Sequence, residues 1–141
     1  MAFIVRMKLS TSQVQEYLGS QRIGRLALST PQGKPHLTAI GYAFDTEKIY
    51  IYMEKKSKKV RLVKKNPQSS FIVDDTGGES GWRYVMVEGI SYVIHDKDEF
   101  DYASNLLGEK YPQIVGTDWM VNSDVHDIIV LEPEKVLTAN I

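Results

Sequence analysis

The stretch His36-Leu37-Thr38-Ala39-Ile40-Gly41-Tyr42-Ala43-Phe44, Asp45-Thr46-Glu47-Lys48, Ile49-Tyr50-Ile51-Tyr52 decides the fold. The first run alternates and is rich in strand formers, the second is a polar turn, and the third is a β-branched and aromatic strand. In front of them, residues 23–30 read as another strand, closed by the turn Pro31-Gln32-Gly33. The three strands read as a meander.

Working outward, a short helix is expected from Ser10 or Thr11 through Leu18, closed by Gly19. Residues 57–65 are helical by composition. Val60 and Val63 form a narrow apolar face, and Asn66-Pro67 stops the helix. Residues 69–74 make a fourth strand, followed by a Gly77-Gly78 loop. Residues 84–94 make a long fifth strand with a bend at Gly89. Residues 96–107 form a helix with Phe100, Ala103, Leu106 and Leu107 on one side and Gly108 after it. Residues 112–120 are a further helix. Residues 126–131 and 136–140 are closing strands on either side of Glu132-Pro133-Glu134. The expected fold is mainly β: six or seven antiparallel strands in hairpin order with peripheral helices, the long fifth strand suiting a barrel that closes on itself. Strand–helix alternation and G-x-G-x-x-G are both missing, which argues against a Rossmann-type nucleotide fold.

The 141 residues suit one domain, 1–141, large enough to bury about 68–70% of its unfolded surface. The absence of cysteine excludes disulfides, thiolate metal sites, iron–sulfur clusters and cysteine nucleophiles. The longest apolar run near the start, residues 2–5, is too short for a signal core, and nothing approaches the roughly 20 apolar residues of a membrane span. The expectation is a soluble, cytoplasmic protein without a membrane partner.

Charge is unevenly placed. Seven of the 17 basic residues fall between Lys55 and Lys65, whereas the chain beyond Lys65 has 14 acidic and four basic residues. With Ser57 as N-cap, Lys58 and Lys59 occupy the first helical turn, where the helix dipole disfavours cations. An anion at the helix start reverses that, because free N–H groups, the Ser57 hydroxyl and two ammonium groups then converge on it. A phosphate suits such a site, and Arg61 lies one turn on. The residues alone leave open a plain solvated basic face. Nucleic-acid binding is disfavoured by the acidic remainder.

Other chemistry is sparse. His36, His95 and His126 have no metal-ligand spacing, and no G-x-S-x-G or catalytic triad is visible. His36, on the second strand, reads as an exposed strand-start residue or as one lining a substrate site. Asp74 and Asp75 read as turn residues rather than an acid–base pair. Tyr42, Phe44, Tyr50 and Tyr52 read mainly as packing residues, and Trp82 and Trp119 as packing anchors.

The runs Gly33-Lys34-Pro35-His36-Leu37-Thr38-Ala39-Ile40, Ile49-Tyr50-Ile51-Tyr52, Ser57-Lys58-Lys59, Asn66-Pro67 and Arg83-Tyr84-Val85-Met86-Val87-Glu88-Gly89 together resemble the pyridoxamine 5′-phosphate oxidase-like, FMN-binding split β-barrels. The resemblance implies a split barrel, usually a homodimer with cofactors near the subunit interface. It implies that Ser57, Lys58 and Lys59 hold the cofactor phosphate, with Arg61 in reach. Thr38, Ala39 and Ile40 would run beside the isoalloxazine ring, and Tyr52 and Met53 beside the ring or ribityl chain. Trp82 and Tyr84 would come from the fifth strand toward the partner's site.

The oxidase proper is similar in having a basic residue where this chain has Ala43, and a Trp and an Arg near its C-terminus. This chain ends Val136-Leu137-Thr138-Ala139-Asn140-Ile141. The resemblance therefore points to the small subgroup that binds FMN or a deazaflavin. The implied activity is that of a flavin- or deazaflavin-dependent oxidoreductase acting on a small redox substrate. The alternative is a carrier that holds flavin or haem without turnover. With no redox-active side chain available, the cofactor would carry the redox chemistry.

Overall fold

A computed structural model describes residues 4–79, 81–112 and 123–141. In chain order these form β1 (Ile4–Met7), α1 (Ser12–Ser20), β2 (Gly24–Ser29), β3 (Pro35–Ile40), β4 (Ala43–Phe44), β5 (Ile49–Glu54), α2 (Lys58–Lys65), β6 (Gln68–Asp75), β7 (Arg83–Val93), α3 (Lys97–Lys110) and β8 (His126–Ala139). The strands make one antiparallel sheet in the order β3-β2-β6-β7-β8-β5-β4, with β1 added on β8. The sheet curls as a half-barrel, so the mainly β split-barrel expectation holds.

Alternation along the strands separates inside from outside. Leu26, Leu28, Phe71, Val73, Val85 and Val87 point inward and pack with Val14 and Leu18 of α1 and Val60, Leu62 and Val63 of α2. On the other side of β5 and β8, Tyr50, Ile128 and Val130 pack against Ala103 and Leu107 of α3. Phe100 and Leu106 join this second cluster partly buried, as their spacing with Ala103 and Leu107 predicts.

Several local expectations are corrected. The run 36–44 is not one strand, because it breaks at Gly41-Tyr42. There the Tyr111 hydroxyl accepts the Tyr42 N–H at 2.8 Å and lies 2.9 Å from the Tyr42 carbonyl, taking over the ladder's role. The meander ends after β2 and β3, since β5 pairs with β8 and β4 instead. Gly108 does not end its helix. α3 runs on to Lys110, and the Tyr111 N–H bonds back to the Leu107 carbonyl.

The two closing strands are one, β8, which passes through Pro133 by a bulge. Glu88 pairs with Lys135 but Gly89 pairs with Pro133, so Glu134 is the extra residue. The expected bend at Gly89 is this bulge, and it requires glycine. A Cβ there would lie 1.9 Å from the Glu132 carbonyl oxygen. β1 has no counterpart in the sequence reading, and the helix expected over 112–120 falls largely outside the described residues. No helix among the described residues is long and apolar enough to cross a membrane.

Candidate functional site

The break at Gly41 sends the chain from β3 at one end of the sheet to β4 and β5 at the other. The curl brings β3 and β5 to opposite walls of an open trough of about 340 Å³, with the start of α2 at one end. β3 contributes Thr38, Ala39 and Ile40, and β5 contributes Tyr52, Met53 and Glu54. Thr38 pairs with buried Leu26, so Thr38 and Ile40 share the core side of β3, while Ala39 faces away. Gly41 keeps the trough open. A Cβ at this position would meet the Tyr52 ring at 3.2 Å and the Tyr111 hydroxyl at 3.4 Å.

Ser57 and Lys59 close the end of the trough. Ser57 takes the extended N-cap conformation expected of it, yet its hydroxyl makes no capping bond. That hydroxyl is buried and has no hydrogen-bond partner. An unsatisfied buried hydroxyl costs about 1–3 kcal/mol and calls for a partner. The first N–H groups of α2 lack helical partners by geometry. The donor set of Ser57 hydroxyl, helix N–H groups and the Lys59 ammonium therefore fits a phosphate.

His36, two residues before Thr38, is half-buried rather than exposed. Its pKa is lowered, first by burial and then by the ammonium groups of Lys58 and Lys59. Lys58 is exposed beside the trough and does not line it. Arg61 turns back to donate to the Lys56 carbonyl at 2.9 Å and lines a different cavity. Trp82 and Tyr84 do not reach the trough of their own chain. They stack on each other at 5.9 Å near the end of β7.

Asp74 and Asp75 are engaged structurally. Asp74 pairs with Arg25, and Asp75 receives Arg83 at 2.7 Å and the Tyr17 hydroxyl at 2.9 Å. The Arg83 bond holds Asp75 down at about 2. Among the described residues no group of three or more His, Asp or Glu side chains is placed to hold a metal ion. Gly41 and Glu54 are trough residues that sequence reasoning missed. An isolated glycine inside a strand pattern was the available signal for Gly41.

The sequence profile described as "Pyridoxamine 5'-phosphate oxidase" matches residues 10–140. The chain belongs to the pyridoxamine 5′-phosphate oxidase family. Solved structures agree at the level of the fold. A conserved hypothetical protein from Mycobacterium tuberculosis is 24% identical with a TM-score of 0.77, over 93% of this chain and 84% of that one. An FAD-binding protein from Mesorhizobium loti is 24% identical with a TM-score of 0.74, over 99% and 97%. The haem storage protein HutZ from Vibrio cholerae is 17% identical with a TM-score of 0.72, over 93% and 94%. The resemblance to the oxidase proper implies a basic residue where this chain has Ala43. That residue is 2% exposed in the cluster under α3, so the position serves packing.

Proposed function

We propose that the protein is a flavin-binding oxidoreductase that holds FMN in the trough between β3 and β5, with the phosphate at the start of α2. The observation that carries this reading is the buried, unbonded Ser57 hydroxyl beside Lys59. Ser57, Lys59 and the first N–H groups of α2 bind the phosphate, and Lys58 adds charge from the rim. The backbone of Thr38, Ala39 and Ile40 flanks the ring, with Tyr52 and Met53 opposite. When bound, the ring supplies hydride exchange with a small-molecule substrate. The family membership and the FAD-binding relative support a flavin, and a deazaflavin with the same phosphate remains the alternative ligand.

The working unit in this reading is a homodimer. The outer face of the sheet carries an uncovered apolar row: Ile72, Met86 and Leu137 are half-exposed side by side across β6, β7 and β8, and Leu37 is 67% exposed. A second copy on this face would bring Trp82 and Tyr84 toward its partner's trough.

The test is a titration with FMN, followed by flavin fluorescence, on the purified chain. Saturable binding is expected, and Lys59→Ala should weaken it about 10- to 100-fold, since a charge-assisted hydrogen bond contributes about 1.5–3 kcal/mol. Equal affinity in the variant removes Lys59 from the site, and no binding of FMN or deazaflavin removes the flavin reading.

A further inference from the structure

A second cavity, of about 750 Å³, shares no lining residue with the trough. It lies between α2, the start of α3 and the ends of β7 and β8. Its walls are apolar: Val60, Val93 and Ile94 are buried, and Phe100 forms one side. Its rim is cationic. Lys55, Lys56, Arg61, Lys64 and Lys97 border it, against the carboxylates of Asp101 and Asp127.

These cations are not equally available. Lys97 is tied to Asp101 at 2.6 Å, Lys55 donates to the Ser123 carbonyl at 2.7 Å, and Arg61 donates to the Lys56 carbonyl. The ammonium groups of Lys56 and Lys64 have no partner among the described residues. Lys56 also adopts φ +62°, a left-handed conformation that a non-glycine residue takes at a cost. A solvated basic face requires neither a partly apolar cavity behind it nor a lysine at that strained position.

The geometry points to a second ligand site in this cavity, for a small organic anion: a carboxylate, phosphate or sulfonate on a flat apolar body. The volume falls within the range of small-molecule sites, about 300–1,000 Å³. The apolar body packs on Val60, Ile94 and Phe100, and the anionic group meets Lys56 and Lys64. Tyr52 of the trough and His126 of the cavity stand edge to face at 6.1 Å, so one aromatic layer separates the two sites.

The test is titration calorimetry with 8-anilinonaphthalene-1-sulfonate, with and without saturating FMN. One saturable site per chain is expected, unchanged by FMN. Lys56→Gly and Lys64→Glu should each weaken it about tenfold or more, as expected for loss of a charge-assisted contact. Both positions are exposed, and glycine relaxes the backbone at 56, so both variants should fold. The uncharged analogue N-phenyl-1-naphthylamine should bind at least about tenfold more weakly, because it lacks the anion. The proposal is overturned by absence of saturable binding, by equal affinity for the neutral probe, or by unchanged affinity in both variants. Competitive displacement by FMN also overturns it, since the cavity would then belong to the cofactor site. The arms run without FMN do not depend on whether FMN binds as proposed.

Discussion

At the scale of single residues, His36 reports on the electrostatics of the site. Burial and two neighbouring lysines depress its pKa in the folded chain below the ordinary value. The unfolded chain therefore takes up this proton first as pH falls. His36 adds no cost above about pH 6.5, and its contribution becomes destabilising as pH drops through the unfolded and then the folded value. Urea unfolding at pH 7.5 and pH 5 should show a loss of stability on acidification that is smaller in His36→Gln. Equal losses in both proteins would mean that the histidine is solvated. A phosphate bound beside Lys58 and Lys59 should move the His36 pKa upward, because a nearby anion favours the imidazolium. The sequence placed His36 at the start of a strand, but its half-burial and its nearness to Lys58 and Lys59 come from the packing around β3.

At the scale of elements, the β7–β8 pair carries the most specific local requirement. Gly89 sits against the Glu132 carbonyl where the bulge absorbs Glu134. Gly89→Ala forces backbone apart in the middle of the sheet and should destabilise by about 3 kcal/mol or more, at the upper end of overpacking costs. A denaturation midpoint close to the wild type would show that the bulge can shift register. The glycine was legible as a bend in a strand pattern. The continuity of β8 through Glu132-Pro133-Glu134 was not, because proline in a strand normally marks an end, and here a bulge in β8 itself, at Glu134, accommodates it. Helix α2 was read almost to its ends, since its caps and its Asn66-Pro67 stop are local signals.

For the whole molecule, the apolar row on the outer face is the feature that calls for a partner. In the dimeric reading, Met86 lies in its middle, between Ile72 and Leu137 in the strand register. Met86→Arg should give a monomer by light scattering and lose most FMN affinity with it. The fold should survive, because the side chain is half-exposed and outside both core clusters. A monomeric wild type would remove the dimeric reading, and a variant that stays dimeric would place the subunit contact elsewhere.

The sequence by itself determined the class of this fold, most of its elements and the helix start at which the phosphate site is proposed. Those depend on period-two alternation, capping residues and a run of charge, all of which are local. Only the tertiary structure decided that β5 pairs with β8 rather than β3, that Gly41 opens the trough and that Tyr111 breaks the strand beside it. It also decided that Arg61 stands away from the trough while Lys58 lies beside it without lining it, and that the basic run borders a second cavity. Each of these depends on which segments the curled sheet brings together, and strand pairing across tens of residues leaves no mark in local pattern.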